Sequence, residues 1–137
     1  MPTLSLKVSP PVDAARARSL AAALTELART LLGKRHDVTA VMIEPLAAGH
    51  WFVGAQAPSG PTAWLAIDIT AGTNSAQEKA SFVAAAYAEL ERQLAPGEGL
   101  EPASYVLVRE RPATDWGFGG LTQAQRARRS ATAEGAT

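Results

Sequence analysis

Two segments of this chain alternate apolar and polar residues, and each is followed by a segment in which apolar residues recur every three or four positions. The alternations run over residues 3–8 and 64–69 and predict two strands, each with one buried face. The later stripes predict two amphipathic helices. These stripes consist of Leu20, Leu24, Leu27 and Leu31, and of Val83, Tyr87, Leu90 and Leu94.

Each predicted helix leads into a further apolar stretch, at residues 38–43 and 103–108, so the same β-α-β unit occurs twice. Trp51 and Trp116 occupy equivalent places beside glycine-bearing turns, which favours a true duplication. We therefore expect one domain over residues 1–121. Unit one covers residues 1–57, unit two covers 62–121, and residues 122–137 form a C-terminal tail.

The predicted fold class is α+β, with two tandem β-α-β units forming a four-stranded sheet. The strands within each unit are joined by one helix, so they are expected to lie parallel with a right-handed crossover. Two helices cover only one face of such a sheet. A bare apolar face normally marks an interface, and we expect a homo-oligomer in which these faces meet.

Composition excludes several classes of protein. The 137 residues carry a formal net charge of zero and no cysteine, which excludes disulfides and cysteine nucleophiles and argues against a nucleic-acid partner. No apolar run reaches the ~20 residues of a membrane span, and we expect a cytoplasmic chain. The basic cluster Arg126, Arg128 and Arg129 is interpreted as part of a solvated tail.

The candidate chemistry lies at the start of the chain, where Pro2 immediately precedes the first predicted strand. Removal of Met1 would turn Pro2 into a free secondary amine, whereas with Met1 in place the Pro2 nitrogen is an amide. Such an amine titrates near pH ~8. When it is unprotonated, it can act as a general base.

Pro2 before a strand, the β-α-β unit, and the stretch Val41-Met42-Ile43-Glu44 followed by Gly49-His50-Trp51 together resemble the tautomerase superfamily. The last stretch is most similar to 4-oxalocrotonate tautomerase (4-OT). The doubled unit resembles longer members such as malonate semialdehyde decarboxylase, the chloroacrylic acid dehalogenases and macrophage migration inhibitory factor. The resemblance implies a homotrimer, a catalytic N-terminal proline and no cofactor.

Four further residues are nominated by this resemblance. The motif Asp115-Trp116-Gly117-Phe118 is similar to one in the decarboxylase, where the aromatic pair lines an apolar pocket around the proline. Asp37 corresponds to an aspartate that assists in activating water. Tyr105 falls where the dehalogenases place an active-site tyrosine. The resemblance therefore implies that Pro2 and Asp37 are catalytic and that Tyr105, Trp116 and Phe118 contact the substrate.

The family's carboxylate-binding arginines are absent from their usual places. The segment after the first strand of unit two, residues 70–74, contains no cation. An arginine matches a carboxylate with two parallel hydrogen bonds, so their loss bears on the substrate. The substrate is then uncharged, or it is held by Arg35, Arg109 or Lys7, or catalysis is lost.

The function expected from these observations is proton transfer on a small carbonyl or keto acid, that is, a tautomerase (isomerase). A decarboxylase or hydratase that uses Asp37 is one alternative. A non-catalytic trimer is the alternative from another class. We expect no metal site, since two histidines offer no ligand spacing, and neither a nucleic acid nor a membrane as partner.

Overall fold

The computed structural model describes residues 1–135, which form a four-stranded sheet with two long helices packed on one face and a separate two-stranded sheet. The elements in chain order are β1 (Thr3–Ser9), α1 (Ala14–Leu32), β2 (Ala40–Pro45), β3 (Thr62–Thr70), α2 (Ala76–Leu94), β4 (Tyr105–Arg111), β5 (Gly117–Phe118), β6 (Leu121–Thr122) and α3 (Gln123–Gly135). Within the described range, no helix is both long and apolar enough to cross a membrane.

The sheet has the strand order β2-β1-β3-β4. β1 lies parallel to β2, and β3 lies parallel to β4, as the sequence predicts for two β-α-β units. The two units join through the antiparallel pair β1 and β3, with Thr3 opposite Asp68 and Ser9 opposite Thr62. The predicted α+β class and the four-stranded sheet are confirmed. The division at residues 57 and 62 stays a prediction.

Local signals in the sequence set the ends of the two long helices. The Asp13 side chain accepts a hydrogen bond from the Arg16 backbone N–H at the start of α1. Gly33 ends α1 in the left-handed conformation, at φ 68°. Ser75 and Glu78 form a reciprocal capping box at the start of α2.

The core lies between the helices and the face of the sheet formed by alternate strand residues. Its fully buried members include Leu4, Leu6 and Val8 of β1, Leu65, Ile67 and Ile69 of β3, and Leu20, Leu24, Phe82 and Leu90 of the helices. The buried stripe of α1 continues through Ala28 and Leu32, whereas Leu31 is half-buried. Steps of four residues from Leu24 follow the helix face that meets the sheet, which corrects the last position of the predicted stripe.

The opposite face of the sheet is not covered by any element of the described chain. Its centre is flat, because Ser5 of β1 pairs with Ala66 of β3. Met42 and Tyr105 project from the outer strands and are 55% and 61% exposed. Trp64 lies between Lys7 and Arg109, whose cationic groups are 5.1 Å and 5.7 Å from its ring centre. This surface is called the bare face below.

Beyond β4 the chain forms a small hairpin and a third helix. Gly119 and Gly120, at φ 61° and 81°, make the two-residue turn between β5 and β6, a conformation that favours glycine at both positions. The segment that we expected as a tail contains α3. Its sequence lacks a wide apolar stripe but is rich in alanine, the residue with the highest helix propensity.

Candidate active site at the start of the chain

The start of the chain is fixed because β1 lies in the middle of the sheet. Pro2 directly precedes β1, its side chain is fully buried, and its carbonyl accepts a hydrogen bond of 3.2 Å from the Ala40 backbone N–H. The paired strand β3 reaches the same end of the sheet with Thr70. The chain start therefore lies where the carboxyl end of β3, the start of β2 and the end of α1 come together.

A cavity of about 380 Å³ opens at this point. Its walls come from the chain start, the α1–β2 connection, the end of β3, the hairpin and α3. The lining residues are Met1, Arg35, Val38, Thr70, Thr73, Ala113, Phe118, Gln123, Arg126, Ala127 and Ser130. Two arginines and no carboxylate are among them, so the walls favour an anion over a cation.

The amine at the chain start belongs to Met1 and lies in a partly desolvated, cationic setting. Burial lowers its pKa from the ordinary value of 8.0, and the charges of Lys34 and Arg35 lower the pKa further. Removal of Met1 would place the amine on Pro2, one residue deeper, at the same end of the sheet.

Lys34 and Arg35 are brought here by the end of α1. The left-handed Gly33 turns the chain, and the Lys34 backbone N–H donates to the Ala28 carbonyl. The Lys34 ammonium donates a 3.0 Å hydrogen bond to the Thr73 hydroxyl. Burial lowers the pKa of Lys34. A cation at this place also meets the negative end of the helix dipole.

The aromatic pair of the Asp-Trp-Gly-Phe motif is divided between the cavity and its surroundings. Phe118 lines the cavity. Trp116 does not, but its indole N–H donates to the hydroxyl of the lining residue Thr70 at 3.2 Å. A Cβ at Gly117 would lie 1.8 Å from the Leu121 carbonyl oxygen, so a glycine there lets the hairpin close and present Phe118. Trp116 thus supports the part of the cavity wall that Thr70 forms.

Asp37 lies beside the cavity but does not line it. Its carboxylate accepts a 2.7 Å hydrogen bond from Arg35, and both side chains are exposed. This hydrogen bond is the main cause that lowers the pKa of Asp37. The aspartate is therefore an ionised carboxylate that partly neutralises Arg35. Its role in activating water stays a prediction.

Tyr105 and Arg109 lie elsewhere in the chain. Tyr105 begins β4 opposite Trp64, which pairs with Lys7. At ~3.3 Å per residue, Tyr105 is roughly 16 Å along the sheet from Pro2. Arg109 points to the bare face, where its Nε and Nη2 atoms donate to Asp68 at 3.1 Å and 2.9 Å. Neither residue lines the cavity of its own chain, and their proposed contacts with substrate stay predictions.

Two cations of this region, Lys34 and Arg126, are not among the site residues predicted from the sequence. Arg126 was assigned to a solvated tail, but α3 folds back and places it in the cavity wall. One local signal was available. Thr122 and Gln125 form a reciprocal capping box, with distances of 2.9 Å and 3.1 Å, which marks a helix start immediately before Arg126.

Comparison with known proteins gives one consistent result. No protein-family model and no curated protein matches the sequence. Among solved structures, native fused 4-OT is 26% identical, with a TM-score of 0.75 over 89% of this chain and 96% of that chain. A symmetric trimer of wild-type fused 4-OT is 20% identical, with a TM-score of 0.80 over 92% and 99%. Pt0534 inactivated by 2-oxo-3-pentynoate is 16% identical, with the same TM-score and the same coverage.

These similarities define the class of fold. The chain has the fused β-α-β fold of the tautomerase superfamily, and the resemblance inferred from Pro2 and the repeated unit is confirmed at this level. The likeness extends over nearly the whole chain of each of these structures. A particular reaction does not follow from the fold alone.

The pairing of Asp68 with two arginines yields a prediction about stability. Burial is the largest single influence on the pKa of Asp68 and raises it, but the hydrogen bonds and charges of Arg109 and Arg111 together lower the pKa to below the ordinary value. The carboxylate therefore stabilises the fold above pH ~4, and the contribution is lost as pH falls through the lowered pKa. We expect Asp68→Asn to lower the free energy of unfolding at pH 7 by about 1–2 kcal/mol, a value reduced for the partial exposure of the arginines.

Urea unfolding at pH 7 and at pH 3, at one protein concentration, measures this effect. The difference between wild type and Asp68→Asn should shrink at the lower pH. Asp37→Asn is the matched control, since its ion pair with Arg35 is exposed. If Asp68→Asn lowers the free energy of unfolding equally at both pH values, the charge-based explanation is contradicted.

Proposed function

We propose that this chain is a tautomerase that uses the amine of Pro2, freed by removal of Met1, to move a proton on a small carbonyl compound. The observation that carries the proposal is the position of the chain start, buried at the end of a central strand and bordering a cavity with a cationic wall. The fold shared with fused 4-OT supports the same function.

The physical basis is the lowered pKa of the amine. A base must be unprotonated at the working pH, and its efficiency is greatest when its pKa lies near that pH. Burial and the charges of Lys34 and Arg35 lower the pKa of the Met1 amine, and we expect them to lower the pKa of an amine at Pro2 in the same direction. The amine can then take a proton from the carbon next to a carbonyl and return it at another position, while Phe118 provides an apolar wall.

The decarboxylase or hydratase alternative is not favoured by the cavity. That chemistry would require Asp37 to activate water next to the substrate, and Asp37 is exposed and bonded to Arg35. The non-catalytic alternative depends on whether Met1 is retained. The experiments below separate it from the proposed enzyme.

An electrophilic keto acid tests for the free proline amine. Pt0534 is inactivated by 2-oxo-3-pentynoate, whose triple bond is conjugated with a ketone. Addition of the Pro2 amine joins its nitrogen to the alkyne carbon β to the ketone, and the proton moves to the adjacent carbon. We therefore expect the chain to lack Met1 and to gain the whole mass of one reagent molecule, with peptide mapping placing the adduct on Pro2.

The rate at which the wild-type chain tautomerises phenylenolpyruvate should fall in proportion to the fraction of Pro2 that is labelled. Pro2→Ala should lower kcat/KM by about 100-fold or more, the usual contribution of a general base. Loss of activity without a change in sedimentation separates a chemical effect from unfolding. A chain that keeps Met1 would exclude the proposed mechanism and leave the non-catalytic alternative. A Pro2→Ala variant with unchanged activity would exclude Pro2 as the base.

The cations near the amine predict a pH dependence. The unprotonated amine is the active form, so kcat/KM should rise with pH through an apparent pKa below 8.0. Lys34→Gln removes a charge that lowers this pKa, so the profile should move to higher pH while the rate on its alkaline plateau is kept. Lys79→Gln is the control, because Lys79 pairs with Glu110 at 3.2 Å and does not contribute to the amine's pKa. Identical profiles for both variants would contradict the assignment.

We further propose that the chain forms a homotrimer through the bare face, as the trimeric fused 4-OT structure suggests. Met42→Asp replaces an exposed apolar side chain of this face with a charge and should raise the dissociation constant at least about 10-fold, because a charge is costly to bury. Ala22→Asp puts the same charge on the exposed side of α1 and should leave assembly intact. Sedimentation velocity measures the assembly of both variants, and a monomeric wild type would exclude the trimer.

A further inference from the structure

The cavity contains a cation that no carboxylate neutralises within the described residues. Arg35, the other arginine of the wall, donates to Asp37. Arg126 forms no salt bridge with any described residue, and no carboxylate lines the cavity. An arginine in such a place is positioned for an anion that comes from outside the chain.

The Arg126 guanidinium is held in one orientation. It stacks over the Phe118 ring, with its central carbon 3.6 Å from the ring centre. Its Nε and Nη2 atoms donate to the Phe118 carbonyl at 3.1 Å and 2.7 Å. The Nη1 group makes no hydrogen bond with a described residue and stays available. A guanidinium that is already ordered loses little conformational entropy when its remaining donors bind a ligand.

The start of α3 is anchored so that Arg126 reaches the cavity. The Gln123 backbone N–H donates to the Trp116 carbonyl, and the Ala124 N–H donates to the Ala113 carbonyl, both at 2.9 Å. The capping box of Thr122 and Gln125 fixes the first turn. The hairpin and the helix thus act as one support for the guanidinium.

We propose that Arg126 of α3 binds the carboxylate group of the substrate and thereby selects acids over neutral carbonyl compounds. The inference rests on the proposed function for the identity of the ligand as a 2-oxo acid. It gives α3 a specificity-determining role, in place of the arginines that are missing from residues 70–74. The acid would lie between the Arg126 fork and the amine, with its apolar part against Phe118.

Equilibrium binding of benzoylformate tests this role without catalysis, since this 2-oxo acid has no hydrogen next to the ketone and cannot enolise. Its methyl ester is the neutral counterpart. We expect Arg126→Gln to weaken binding of the acid by about 10- to 100-fold and to leave binding of the ester unchanged. The affinity of Arg126→Lys for the acid should lie between those of wild type and Arg126→Gln, because lysine keeps the charge but lacks the planar guanidinium. Titrations followed by NMR give the dissociation constants of the acid and the ester for each variant.

Arg129→Gln is the matched control, because it removes the same charge from an exposed position of the same helix. The Trp116 indole N–H resonance shows whether the hairpin is intact in each variant. Equal affinity of wild type and Arg126→Gln for the acid would overturn the proposal. An Arg126→Gln variant that loses affinity equally for the acid and the ester would also overturn the proposal, since Arg126 would then only support Phe118.

The outcome is separable from that of the proposed function. If Pro2→Ala keeps full activity while Arg126→Gln loses affinity for the acid, the proline mechanism fails and the Arg126 site stands. If activity depends on Pro2 while Arg126→Gln binds the acid as wild type does, only the Arg126 assignment fails.

Discussion

The pairing of β1 with strands on both sides is the constraint on which the rest of the structure depends. A first strand at the edge of a sheet would leave the chain start free to move. Here β2 and β3 both bond β1, and Leu4, Leu6 and Val8 are fully buried beneath the helices. Pro2 is therefore held in a fixed position at one end of the sheet, as the core residues are. A group at the chain start can act in chemistry because the fold immobilises it.

The electrostatics of the site follow from what converges on that end of the sheet. The end of α1 supplies Lys34 and Arg35, and α3 supplies Arg126. Each cation is oriented by a different partner: a threonine hydroxyl, a carboxylate and a backbone carbonyl. A concentration of positive charge lowers the pKa of a nearby amine and attracts an anionic ligand. Both effects favour the same chemistry, a free base next to a bound acid.

The sequence predicted the fold well because its two periodicities are clear. Apolar and polar residues alternate in β1 and β3, and apolar stripes run along α1 and α2. Because a helix that joins two parallel strands crosses over with a right hand, few other topologies are compatible with this order of elements. The roles of the predicted site residues stay predictions. Phe118 lines the cavity, and Pro2 adjoins Met1, which also lines it. The partner of Arg109 is Asp68, 41 positions away, and no local pattern reveals that pair. Arg126 was missed because α3 is helical through alanine propensity and capping, which leave a weak apolar pattern.

The proposed mechanism requires that the chain begin with a proline amine whose pKa is lowered by its surroundings. An NMR titration of protein labelled with ¹⁵N-proline measures this most directly, because the nitrogen of a terminal proline responds to its own protonation. We expect one proline nitrogen, assigned to Pro2, to titrate with a pKa below the ordinary 8.0. A pKa at or above that value, or a Pro2 nitrogen that does not titrate because Met1 is still attached, would contradict the account.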